Sequence, residues 1–207
     1  MTPWSAFYDL MSPDVPGCPQ AAQTVALREA AIDFCKQSLA WKYEHPDIAV
    51  VVATAQYPFV PPTGAVVHTV TYAEFNGDEI DVKTSADDIR IWDWRNQTGT
   101  PHYVLGGATA LTLVPTPDVA GTLTLTVILK PSPTATSIDD DIFNEYRQAI
   151  VHGALARLMY SPKKPYTDLS LAVYHQQQFT IKAGAAGTRA ARDSTRAPLQ
   201  TSIMRRR

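Results

Sequence analysis

The chain has 207 residues, of which 45% are hydrophobic and 18% charged, with a formal net charge of -2. Those figures exclude wholesale disorder, a collagen or coiled-coil rod and, for the chain as a whole, the basic balance of a polyanion binder. A fold of this size removes roughly 70% of its unfolded surface from water, so a core can form without metals or disulfides. The cysteines, Cys18 and Cys35, make no CxxC pair, which excludes a disulfide scaffold, a zinc ribbon and a thioredoxin-type motif; both are expected to be buried, reduced thiols. The first residues lack a basic region followed by an apolar stretch, so no signal peptide is expected. No apolar run approaches the ~20 residues of a membrane span.

Residues 1–45 read as helical. Thr2 can cap a short helix with Pro3 in its first turn, and Pro13, Pro16, Gly17 and Pro19 break the chain before a second helix. In that helix Leu27, Ala31, Phe34, Ser38 and Trp41 recur in steps of four and three, a stripe turned to a core, with Arg28, Glu29, Asp33 and Lys36 opposite. Pro46 is expected to stop it.

Residues 46–133 read as strands and turns. Asn76-Gly77 between apolar runs predicts a two-residue hairpin, because a type I′ turn needs positive φ at both central positions. Leu123, Leu125, Val127 and Leu129 alternate with Thr122, Thr124 and Thr126, which predicts a strand with one buried and one wet face. The spacing of these runs predicts an inserted antiparallel sandwich or barrel-like domain. Ser85 can cap a short helical turn ahead of Ile89, Trp92 and Trp94.

Residues 134–182 return to helix. Ser137 or Asp139 can cap the first, with acids in its opening turn where the helix dipole favours them. Ile142, Tyr146, Ala149, Gly153 and Ala156 form one face, small enough to let another helix, or another subunit, approach closely. A last helix, capped by Thr167, carries Leu171, Tyr174, Gln178 and Ile181 on one side. Residues 183–207 have no apolar period, and Arg189, Arg192, Arg196, Arg205, Arg206 and Arg207 are balanced by Asp193 alone. This segment reads as an extended basic arm, either disordered or ordered by a partner; nucleic acid and an acidic protein groove are both open as that partner. The whole is an α+β plan in which N- and C-terminal helices form one bundle around a β insert.

The motifs of catalysis are missing. There is no G-x-S-x-G elbow, and Gly106-Gly107 lacks the lysine and helix of a phosphate loop. Asp139, Asp140 and Asp141 point about 100° apart on a helix and cannot all face one ion. His102, His152 and His175 are the histidines an unrecognised hydrolase site would use. Trp92, Trp94 and Tyr103 are the candidates for an aromatic platform, the basis of an alternative reading as a module that binds carbohydrate or a host surface; packing is the competing account. No catalytic, cofactor or metal site is assigned.

Several segments resemble the head-to-tail adaptor proteins of tailed bacteriophages: Val15-Pro16-Gly17-Cys18-Pro19 followed by Ala26-Leu27-Arg28-Glu29-Ala30-Ala31-Ile32-Asp33-Phe34-Cys35 and Trp41; Leu113-Val114-Pro115-Thr116-Pro117 before a strand ending Leu129-Lys130-Pro131; Glu145-Tyr146-Arg147-Gln148-Ala149-Ile150 and His152-Gly153-Ala154-Leu155-Ala156-Arg157-Leu158; and Tyr174-His175-Gln176-Gln177-Gln178-Phe179. The likeness spans residues 13–182. It implies a structural virion protein at the head–tail interface, made in the host cytoplasm. Such proteins form a ring, usually of twelve copies, on the portal, extend the DNA channel without binding DNA specifically, and dock the next tail or neck component. The resemblance further implies that the C-terminal arm reaches the portal, and it implies no catalysis.

Overall fold

A computed structural model describes residues 1–89, 91 and 93–192. In chain order the elements are β1 (Thr2–Pro3), a 3-10 turn (Trp4–Phe7), α1 (Tyr8–Met11), α2 (Gln20–Ser38), β2 (Lys42–Val50), β3 (Gln56–Pro58), β4 (Ala65–Phe75), β5 (Asp78–Glu79) and β6 (Asp81–Lys83). There follow β7 (Thr98–Gly99), β8 (Tyr103–Gly106), β9 (Ala110–Val114), β10 (Thr116–Pro117), β11 (Gly121–Pro131), β12 (Ser137–Ile138), α3 (Asp140–Met159) and α4 (Leu169–Ala191). The fold is mixed α+β and divides into two compact units. One consists of Met1 and Trp41–Ile138, the other of Thr2–Ala40 with the described residues from Asp139 on.

In the β unit one four-stranded sheet has the order β2-β11-β4-β5 and another β3-β9-β8-β6. Neither closes into a barrel. The Asn76-Gly77 hairpin forms as expected: both residues have positive φ (54° and 94°), and Phe75 pairs with Asp78 across them. Asn76 also ties the turn to β11, its Oδ1 accepting from the Thr122 N–H at 2.8 Å. β11 is a central strand, antiparallel to β2 on one side and β4 on the other. Leu123, Leu125, Val127 and Leu129 are buried, and Thr122 and Thr124 face water.

Two expectations need correction here. The sheets are not wholly antiparallel: β6 runs parallel to β8, and β7 parallel to β10. Residues 84–102 between β6 and β8 supply the long crossover that parallel pairing demands. The second concerns the end of the second helix. It stops at Ser38 rather than near His45, because Leu39 adopts a left-handed conformation (φ 52°) while its N–H still reaches the Cys35 carbonyl at 3.1 Å. Trp41 is therefore off the helix, and its backbone carbonyl accepts from Leu129. Pro46 lies within β2, an edge strand, at the irregularity between the pairs His45–Leu125 and Ile48–Leu123. A missing N–H is tolerated at such a place.

In the helical unit, α2, α3 and α4 pack on one another. Leu27, Ala30, Ala31, Phe34 and Cys35 of α2 are buried. Burial pushes the Cys35 thiol up to about 12, with the Asp139 charge adding to the effect. Both cysteines are free and buried, as expected. Asp139 caps α3, its Oδ1 accepting from the Asp141 N–H at 3.0 Å. Thr2 caps nothing: its hydroxyl donates to Asp140 Oδ1 at 2.6 Å, and the 3-10 turn starts at Trp4. Asp168, one residue after Thr167, caps α4 by accepting from the Ser170 and Leu171 N–H groups, each at 3.0 Å. Those bonds, the Leu171 N–H first, hold the Asp168 carboxyl below its ordinary range. Thr167 is committed elsewhere, donating to the Ser161 carbonyl and accepting from the Lys164 N–H.

Helix α4 also runs past the expected end. Residues 183–191 are helical, not extended, and Ala183 and Ala186 are buried. Alanine is the strongest helix former, and five alanines in this stretch offset its two glycines. Gly187 lies against the end of α2, where a Cβ would make ordinary contact at 3.5 Å with the Ser38 carbonyl oxygen.

Candidate functional site

The face predicted on α3 is found inside the chain's own helical unit. Ile142, Ala149, Gly153 and Ala156 are buried; Tyr146 is half-buried, its ring 5.1 Å from that of Phe34 on α2. Gly153 marks the tightest point. A Cβ at this position would lie 2.7 Å from Cδ2 of Phe179 on α4 and 3.0 Å from Cβ of Ala30 on α2. All three long helices converge where only a hydrogen fits.

The side of α4 that carries Leu171, Tyr174 and Ile181 is the outer one. The inward stripe is Ala172, His175, Phe179, Ala183 and Ala186, spaced at three, four, four and three residues. Leu169 is 62% exposed and Ile181 64%, with Leu171, Val173 and Tyr174 exposed beside them. Apolar side chains gathered into one exposed patch mark a surface that meets a partner, whereas single ones are ordinary. Composition hides this arrangement, because the inward residues are mostly the small ones.

Of the basic residues expected in the arm, Arg189 sits on α4 and pairs with Glu145 of α3, Nη2 to Oε2 at 2.9 Å. Both groups are half exposed, so the pair contributes at most about 1 kcal/mol. Arg192 caps the C-terminal end of α4. Arg196, Arg205, Arg206 and Arg207 lie outside the described residues, as does Trp92. A groove of about 420 Å³ runs beside this end of α4, between Tyr146, Gln148 and Ala149 on one side and Lys182, Ala185 and Arg189 on the other. A larger one, of about 810 Å³, opens among Pro19, Ala22, Val25, Leu158, Pro165 and Tyr166.

Two of the aromatic candidates in the β unit, Trp94 and Tyr103, each lie against a cation of the chain itself. The Arg95 guanidinium lies 4.3 Å from the centre of the Trp94 ring, and Lys83 Nζ 5.2 Å from that of Tyr103. Their ring faces hold the chain's own cations. Ser85 caps the 3-10 turn Ala86–Asp88, accepting from the Asp87 N–H at 3.2 Å.

The histidines are not gathered into one site. His102 is exposed in the β unit. His45, buried there, donates from Nδ1 to the Pro46 carbonyl (2.7 Å) and accepts at Nε2 from the Val60 N–H (2.8 Å), which requires the neutral Nδ1–H tautomer. In the helical unit Nδ1 of His152 and Nδ1 of His175 lie 2.8 Å apart. Among the described residues, no three His, Cys, Asp or Glu side chains are placed to hold a metal ion. No described helix is long and apolar enough to cross a membrane.

Both ends of the chain build the helical unit, and its α4 carries large exposed apolar side chains. The sequence matches the family model of the SU10 adaptor protein over residues 10–202, and the chain belongs to that family of phage head–tail adaptors. A search of curated proteins finds no match. As a family member the chain is a structural adaptor and a virion component that contacts other phage head or tail proteins. Structural adaptor families of this kind are not normally enzymatic.

Proposed function

We propose that the chain is the repeating subunit of a closed, twelve-membered ring seated on the portal at one capsid vertex. The ring extends the channel for DNA and docks the next tail or neck component, which places the protein in the neck of the virion. The three long helices act as the bundle of the ring. The two four-stranded sheets act as an inserted sandwich.

The observation that carries this reading is the outward apolar face of α4. It supports a permanent neighbour for the helical unit, and in a ring that neighbour is another copy. Head-to-tail contacts between copies close into rings when their rotation allows it. The net charge of -2 suits a passage through which DNA slides, since every phosphate contact adds affinity and would slow transit.

Within this reading Arg189, Arg192, Arg196, Arg205, Arg206 and Arg207 belong to the arm that meets the portal. The arm is best tested by ending the chain after Arg192, because an earlier cut would remove the buried Ala183 and Ala186. The shortened chain is expected to bind purified portal at least about tenfold more weakly, through loss of charge pairing repeated over many copies. Binding of both chains with equal affinity would remove the arm from the portal interface.

A further inference from the structure

The His152–His175 contact joins α3 to α4 and has no part in the reading above. His175 is 8% exposed and His152 half-buried. Their ring centres are 5.1 Å apart, and Nδ1 faces Nδ1 at 2.8 Å. At that distance one nitrogen must carry a hydrogen and the other a lone pair. The accepting ring is then the Nε2–H tautomer, and its shared Nδ1 is its one remaining basic site. A first added proton goes to the free Nε2 of the donor ring and leaves the bond in place. A second can go only to the shared nitrogen of the acceptor, where it abolishes the bond and sets two cations face to face.

We propose that the His152–His175 pair is an acid-sensitive latch between α3 and α4, closed while the pair carries no more than one added proton and opened by the second. The surroundings bear on this from each side. Asp14, in the segment before α2, favours protonation of both rings, and Lys182 on α4 opposes protonation of His152. Lys182 is itself within 3.4 Å of Gln148 Oε1 on α3. Tyr174 of α4 packs edge-on to His152, ring centres 6.3 Å apart. Both histidines are held below their ordinary value of 6.5, His152 by burial first and then by His175 and Lys182, His175 by burial. The sign follows directly. Below about pH 6.5 the unfolded chain binds more protons than the folded one, so stability falls as the pH drops, until the folded pair is itself protonated.

The test uses the full chain. Nitrogen-15 imidazole spectra followed from about pH 7.5 to about pH 4.5 should show one of the two rings with Nδ1 protonated and the other with Nδ1 bare at the start. Proton uptake should then come in two steps, the second accompanied by faster amide exchange in α3 and α4. Two rings that titrate independently near their ordinary value, with exchange unchanged, would overturn the latch. As a second measurement, His152→Gln should flatten the fall of melting temperature between about pH 7 and about pH 5 relative to the wild type. An equal fall in both chains would also overturn it.

Discussion

Replacing Gly153 by leucine is expected to destabilise the helical unit by about 3 kcal/mol, net of the better helix propensity of leucine. Two effects oppose each other. Glycine costs a helix interior about 1 kcal/mol relative to good helix formers, so any side chain gains that much locally. Against it stands the space: the first carbon alone would sit 2.7 Å from the Phe179 ring and 3.0 Å from Ala30. Both neighbours are on packed helices, and a ring edge cannot swing aside as a lysine tip can. Overpacking of a filled core costs about 1–3 kcal/mol, and more in the tightest sites, and leucine inserts several carbons. Gly153→Ala should therefore lose less, about 1 kcal/mol, and pairing it with Phe179→Leu should recover most of the loss because the two sites touch. Thermal and denaturant melting of the four chains measures this. A Gly153→Leu chain that melts with the wild type would show that the helices do not meet at this residue.

The second large effect is expected at Leu125→Ala, with a loss of about 2–5 kcal/mol. Leu125 is 1% exposed on β11, with His45 of β2 as its register partner on one side and Ala73 of β4 on the other. Truncation at a central strand leaves a cavity that neither flanking strand can move to fill without breaking its own pairing. Thr124→Ala, one residue away on the wet face, serves as the control. It removes an exposed hydrogen bond from Thr124 Oγ1 to Asp47 Oδ1 and should shift stability by no more than about 0.5 kcal/mol. Equal effects at the two positions in urea unfolding would contradict the assigned faces of β11.

The contrast between those neighbouring residues was readable in advance, and the reasons are local. Alternation along residues 122–129 reports a half-buried strand because side chains in a strand change face at every residue. Asn76-Gly77 reports its turn because few other dipeptides tolerate positive φ twice. Asp139 reports a helix start because its side chain competes for the same N–H groups that the helix leaves unpaired. What was not readable depended on partners distant in sequence. Nothing near Leu39 announces a left-handed residue; the helix ends there although Trp41 continues the apolar spacing. Residues 183–191 look like linker because alanine and glycine carry little hydrophobicity, yet that stretch of α4 buries Ala183 and Ala186. The parallel pairing of β6 with β8 follows from the crossover between them, which no spacing rule encodes.

The candidate surfaces divide in the same way. Of the residues singled out on α3, Ile142, Ala149, Gly153 and Ala156 are buried and Tyr146 is half-buried, with Gly153 meeting both α2 and α4. The outward stripe on α4 was grouped correctly as one side, but the sign of that side depends on which residues fit against α3. Large apolar groups usually face inward, and here the inward positions are taken by Ala172, Ala183 and Ala186 around Phe179. The exposed side of α4 thus carries the large apolar groups.

Electron cryomicroscopy of the full chain mixed with its portal tests the central reading most directly. The account predicts a closed ring of many identical copies coaxial with the portal, with α4 of each subunit covered by its neighbour. Single copies scattered on the capsid, or a ring in which the outer face of α4 stays open to solvent, would contradict it.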